Sequence, residues 1–291
     1  MAKILGVGVA TLDIINTVAD YPDEDSEIRA ESQMINRGGN TTNTLAVLSQ
    51  LGHQCYWAGT LANETDASHI IDDLNKYRIN HQFSRTYSTG RVPTSYILLN
   101  TRNGSRSIVH YRNLPELSYA DFKNIPLTDF DWIHFEARNT DQTLLMLQRV
   151  KEKASHIPCS LEIEKQRDNL EQLYPYADML IFSKTYCQQT KYKTAEHLLK
   201  NLQMKYPEKT MVLPWGDEGA YAASAETGLI HDPAIKPKRV NDTLGAGDTF
   251  NAGLINSRLK NKALQEVIHY SNSLASIKIT VNGFDLPLHE L

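Results

Sequence analysis

Gly245-Ala246-Gly247 is followed at once by Asp248 in the string Asn241-Asp242-Thr243-Leu244-Gly245-Ala246-Gly247-Asp248-Thr249-Phe250. Residues this small let a backbone come close to a ligand. Where a helix begins at such a point, its unpaired N–H groups and its dipole face an anion. A carboxylate in the first helical turn, beside that cradle, can take the proton of a hydroxyl lying in line with a transferring phosphoryl group. The same residues also read as a Gly-rich helix cap with no ligand.

A second constellation, Arg37-Gly38-Gly39-Asn40-Thr41-Thr42-Asn43, precedes a helical run. Gly39, Asn40 and Asn43 offer backbone N–H groups and side-chain amides suited to the hydroxyls of a neutral polyol; an ordinary turn with an Asn cap is the alternative. Asp13 follows the first strand-like run, where ligands gather in α/β folds, and can accept hydrogen bonds from two hydroxyls or remain a solvated loop residue. Gly216-Asp217-Glu218-Gly219 follow a strand ending in Pro214 and form an edge for a purine ring, or a tight turn. His134, between apolar neighbours, reads as structural rather than as a base.

These groups need a frame. Short apolar runs at residues 4–9, 132–135, 160–163, 179–182 and 211–214 alternate with periodic segments at 42–51, 141–154, 194–206 and 247–259. The alternation predicts βα units around a buried, mostly parallel sheet, hence a three-layer α/β sandwich. Segments 27–35 and 94–111 break the rhythm, and Asn103-Gly104 between alternating flanks predicts a hairpin. Both are expected in a small separate sheet inserted into one domain of residues 1–291.

Composition limits the alternatives. A chain of 291 residues, 41% hydrophobic, can bury one large core. A formal net charge of -4 with scattered Lys and Arg provides no basic field for nucleic acid. No apolar run approaches the roughly 20 residues of a membrane helix and no signal-peptide pattern opens the chain, so a cytoplasmic protein without a membrane partner is expected. Cys55, Cys159 and Cys187 are odd in number and lack CxxC spacing, which argues against a disulfide framework or a zinc site. The chain has neither a Walker-type phosphate loop nor HExxH.

Residues 242–248 resemble, without a mismatch, the DTxGAGD signature of the PfkB/ribokinase family of sugar kinases, and Gly38-Gly39-Asn40 resembles its GGN signature. Further stretches, at 21–29, 132–139, Glu162-Ile163-Glu164-Lys165, Phe182-Ser183-Lys184 and Gly283-Phe284-Asp285, are similar to the branch of that family acting on ketohexoses. The resemblance implies a ribokinase-like fold, ATP and Mg²⁺ as cofactors with K⁺ as a further candidate, and transfer to the 1-hydroxyl of a ketohexose such as fructose. It also implies a β-sheet lid, from residues 13–37 and 94–111, that doubles as a homodimer interface.

Carried over by residue, the resemblance makes Asp248 the base and Gly245, Ala246 and Gly247 the anion hole. Asp13, Gly39, Asn40 and Asn43 become sugar contacts, with Asp25 reaching the sugar of the other subunit. Arg106 meets the triphosphate; Gly216, Asp217, Glu218 and Gly219 form the nucleotide turn. Asn272, beside Ser271, makes the adenine wall more polar than in those relatives. On the residues alone, Arg106 is an exposed hairpin arginine and Asp25 one acid of a solvated turn. Many family members carry NxxE where this chain has Ser183-Lys184-Thr185-Tyr186, so Mg²⁺ is expected on phosphate oxygens and water, without protein ligands. Family activities on ribose, an aldohexose, a sugar phosphate or a nucleoside remain alternatives, as does a sugar binder without turnover.

Overall fold

A computed structural model describes residues 1–288; residues 289–291, the end of the expected domain, lie outside it. The chain opens with β1 (Lys3–Val7), β2 (Thr11–Val18), β3 (Ser32–Gly38), α1 (Asn40–Gln50) and β4 (Gln54–Ala58). Next come β5 (Thr60–Ala62), α2 (Ala67–Lys76), β6 (Arg85–Tyr87) and the hairpin of β7 (Thr94–Asn100) and β8 (Arg106–Tyr111). A βα alternation follows: α3 (Tyr119–Phe122), β9 (Trp132–Glu136), α4 (Thr140–Lys153), β10 (Cys159–Ile163), β11 (Met179–Phe182), α5 (Lys184–Gln189), α6 (Ala195–Lys205) and β12 (Thr210–Pro214). Last are β13 (Ala220–Ser224), β14 (Gly228–Asp232), α7 (Ala246–Leu259) and α8 (Leu264–Lys278).

The main sheet has eight strands in the order β14-β13-β12-β11-β10-β9-β1-β4. Its strands run parallel from β4 to β12, while β13 and β14 add an antiparallel edge. Central strands covered on both faces need continuous apolar runs, and every residue of β9 and β11 is buried. One face packs Leu147, Val150, Leu198 and Leu199 from α4 and α6; the other packs Leu45, Leu48, Phe250 and Val267 from α1, α7 and α8. This is the expected three-layer α/β sandwich. α4 follows β9 onto one face, whereas the chain leaves β1 for the small sheet and returns through α1 on the other face, so the carboxyl ends of β1, β9 and β10 open a crevice.

The expected helices and strands fall within two residues of their positions. The segment 27–35 differs, since only Ser32 onward is strand. Ahead of it, Asp25 takes a left-handed turn (φ 58). Helices α2 and α8 and the β13–β14 edge are not among the expected elements, although α2 buries Ala67, Ile70 and Leu74 at helical spacing.

A separate sheet, β3-β2-β7-β8, overhangs the crevice. Its register sets Asn36, Asp13, Ser95 and His110 in one cross-strand row, with Thr17, Leu99 and Arg106 on the same face. Asp13 and Arg106 both line the cleft, so this face looks inward. The opposite face carries the row Ile35, Ile14, Tyr96 and Val109. Val109 is 70% exposed and Tyr96 46%.

Candidate active site

Gly245 occupies the cap position of α7 at φ 77, in the left-handed region that favours glycine. A Cβ there would also lie 2.2 Å from Phe284 Cζ, so no larger residue fits. Leu244 N–H donates to Asp242 Oδ1 at 2.8 Å, which turns the chain into the helix. The Ala246 N–H donates to the Thr243 carbonyl at 3.3 Å, the Gly247 and Asp248 N–H groups have no partner four residues back, and a Cβ on Gly247 would meet nothing within 4 Å. Space and free donors coincide here, as an anion hole requires.

Asp248 lies one residue further, 8% exposed. Asn43 Nδ2 donates to its Oδ2 at 2.7 Å, and Thr44 Oγ1 donates to its carbonyl at 3.1 Å. Arg37 Nη1 donates to Asn43 Oδ1 at 2.8 Å, which orients the amide with its NH₂ toward Asp248. The Arg37 guanidinium is closed on its other side by Asp73. Burial, then the charge of Glu162, hold the Asp248 carboxyl well above the ordinary carboxylate range.

Glu162 and Glu136 stand side by side in the pairing of β10 with β9. Burial raises both carboxyls. Asn40 Nδ2 donates to Glu162 Oε1 at 3.0 Å; the backbone N–H groups of Thr41 and Val9 donate to Glu136 Oε1 at 2.8 and 3.3 Å. The sequence reading did not place these carboxylates in the site. Their signal was available: each acid is one of the last two residues of a mostly apolar strand, at the sheet's carboxyl edge. His134 is fully buried against the Ser160 hydroxyl at 2.8 Å, and burial pushes it down to about 4, so it is neutral and structural.

A cleft of about 850 Å³ lies between the overhanging sheet and residues 240–244, the approach to α7; residues 245–248 lie just beyond its lining. Asp13, Asn43, Arg106 and residues 242–244 line it. Asp13 Oδ1 accepts from Thr11 Oγ1 at 3.1 Å, and in the same cross-strand row as Asp13, Ser95 Oγ lies 3.2 Å from His110 Nδ1. Ser95 and His110 are further cleft-side groups that sequence spacing did not reveal. Gly39 (φ 105) admits the sharp entry to α1, and a Cβ there would lie 2.0 Å from the Val9 carbonyl oxygen.

Other expected residues lie apart. Asp25 is exposed in its turn and does not line the cleft. The turn of Gly216, Asp217, Glu218 and Gly219 is closed by Trp215 N–H donating to the Gly219 carbonyl at 2.7 Å, and His231 Nε2 lies 2.9 Å from the Glu218 carbonyl. Asn272 Nδ2 donates to Asp232 Oδ2 at 2.7 Å. Turn and Asn272 therefore meet at the end of β14, but the amide donors of Asn272 are spent on the protein itself. Among the described residues, no three His, Cys, Asp or Glu side chains are placed to hold a metal. The three cysteines are free and buried, and no helix is long and apolar enough to cross a membrane.

A glycine-rich helix start beside a buried carboxylate, under a small sheet on an α/β sandwich, is an arrangement suited to phosphoryl transfer. The pfkB family carbohydrate kinase profile matches residues 1–291. The chain belongs to that family and is an ATP-dependent sugar kinase. It is 39% identical to ketohexokinase of Mus musculus over 97% of this chain and 98% of that one. Ribokinase of Bacillus subtilis is 21% identical over 97% and 94% of the two chains. The structure of Arabidopsis thaliana ribokinase complexed with ribose and ATP superposes with a TM-score of 0.81, covering 97% and 94% at 20% identity; it supports the fold.

Proposed function

We propose that this kinase phosphorylates a ketohexose, such as fructose, at its 1-hydroxyl. The observation that carries the reading is the Asn43–Asp248 hydrogen bond at the end of a cleft that also holds Asp13 and Arg106. Asp13, Gly39, Asn40 and Asn43 fix the sugar hydroxyls, and Asp248 accepts the proton of the hydroxyl that attacks the γ-phosphorus. Gly245, Ala246 and Gly247 direct backbone N–H groups at the charge that develops on the transferring group. Arg106 closes over the phosphates, while the turn at Gly216 and the wall at Asn272 face the base. The 39% identity to a ketohexokinase favours a ketohexose. A phosphorylated sugar is disfavoured because Arg37, the cation nearest Asn43, is already spent on Asp73 and Asn43.

Mg²⁺ bound with ATP would neutralise the phosphate oxygens, held by those oxygens and water. The oxygens that converge behind the anion loop, from Asp242 and Val281, are taken by the ammonium of Lys278 and leave no seat there for K⁺. The sheet β3-β2-β7-β8 serves as a lid, and its outward apolar row docks on that of a second copy. Asp25 then reaches the partner's sugar. A panel of free sugars, sugar phosphates and nucleosides with ATP, read by ADP production and product NMR, tests the substrate. Turnover of ribose, a sugar phosphate or a nucleoside in preference to ketohexoses overturns the assignment, and binding without turnover overturns catalysis.

A further inference from the structure

Lys278, the last residue of α8, has a fully buried side chain. A buried ammonium persists only where charge and hydrogen bonds answer it. Here Nζ lies 3.2 Å from Asp242 Oδ2 and reaches the Asp242 carbonyl at 3.3 Å and the Val281 carbonyl at 3.4 Å. The Phe284 ring centroid is 5.5 Å away.

Two routes lead from this ammonium to the anion loop. Through Asp242, the second carboxylate oxygen accepts the Leu244 N–H at 2.8 Å, one residue before Gly245. Through Phe284, the ring closes on Gly245 and leaves no room for a Cβ. The same strip is tied to the turn after α8 by Asn241, whose N–H donates to the Ile279 carbonyl at 2.7 Å. Lys278 does not line the cleft, whereas Asp242, Leu244 and Phe284 do.

We propose that Lys278 is a positioning residue for phosphoryl transfer, its buried ammonium holding Asp242 and Phe284 so that the Gly245-Ala246-Gly247 loop keeps the geometry that receives the triphosphate. The proposal rests on the reading of that loop as the anion hole. Carbonyl and carboxylate oxygens converging on one point are the donor set of a monovalent-cation site, and here a tethered cation fills it. A cap that merely stabilised α8 would alter melting without separating ATP from sugar.

Lys278→Met keeps the bulk and removes the charge. Misplacement of reacting groups by about 1 Å costs about a hundredfold, so kcat/KM for ATP should fall by about that factor. ADP affinity by calorimetry should weaken by about tenfold, with sugar affinity unchanged. In Lys278→Ala, ammonium or methylammonium should restore ADP affinity and ATP kinetics saturably, with no such effect on the unsubstituted enzyme. Asp242→Asn, at a partly exposed side chain, keeps an acceptor for Leu244 but turns an amide NH₂ toward the ammonium, so it should reproduce the ATP-side loss even if Lys278 variants fail to fold. Met and Asn variants within about twofold of the unsubstituted enzyme in ATP kinetics and ADP affinity overturn the proposal. So does a loss shared equally by ATP and sugar that amines do not rescue. Asp248→Asn, run in parallel, separates the two readings: its retained turnover would sink the assignment of the loop and its base, and this proposal with it.

Discussion

Asn43 Nδ2 donates a 2.7 Å hydrogen bond to Asp248 Oδ2 across 205 positions of sequence. Arg37 holds the far side of the same amide, so the carboxylate meets a donor whose orientation is imposed from outside the pair. One carboxylate oxygen is thus anchored, and on the proposed reading the other accepts the proton of the substrate hydroxyl.

Asp248→Asn should lower kcat by at least about a hundredfold, in the range of general-base contributions, with sugar Kd within a few-fold. The neighbouring amide can still pair with the new side chain, so the sugar site survives. Near-normal turnover would exclude Asp248 as the base.

A base works deprotonated, and the Asp248 carboxyl is raised by burial first and by Glu162 second. The acid limb of kcat/KM for the sugar should therefore lie above the ordinary carboxylate range, activity rising with pH. Glu162→Gln removes a negative charge and should move that limb to lower pH, short of the ordinary value because burial persists. Asn43→Ala removes the hydrogen bond that lowers this pKa and should move the limb the other way. Limbs that stay put in both variants would disprove the coupling.

Arg106 shares the cleft-facing side of the overhanging sheet with Asp13. Charge-assisted hydrogen bonds contribute about 1.5–3 kcal/mol, so Arg106→Ala should cost roughly tenfold to a hundredfold in kcat/KM for ATP, with sugar binding preserved. Unchanged ATP kinetics would make it a surface hairpin residue.

The outward row of Ile35, Ile14, Tyr96 and Val109 should bury itself in a two-fold homodimer, and Tyr96→Glu with Val109→Glu should yield monomers in light scattering. A native chain that is monomeric at assay concentration removes this interface.

If Asp25 acts across the interface, mixing Asp25→Ala chains with Asp248→Asn chains leaves one pocket lacking both groups and one intact. Activity should then exceed that of either parent homodimer. Absence of rescue, with subunit exchange proven and both parents impaired, would return Asp25 to its solvated turn.

The sequence by itself determined what depends on neighbours in the chain. The apolar run Met179–Phe182 specifies β11 because a strand covered on both faces favours continuous apolar residues. Small residues at 245–247 specify a close-approach helix start because only glycine adopts the Gly245 backbone at no cost. Asp248 is legible for the same local reason, one residue past that start. Tertiary structure alone decided which distant groups answer these. Parallel pairing of β10 with β9 sets Glu162 beside Glu136, and the packing of α1 on α7 brings Asn43 to Asp248. The register of β2 with β7 chooses Ser95 as the neighbour of Asp13, and the path of α8 delivers Lys278 beneath the loop. None of these pairs has a sequence spacing of its own. Each exists because burying both faces of one sheet forces elements far apart in the chain into contact, and the hydrogen bonds follow from that packing.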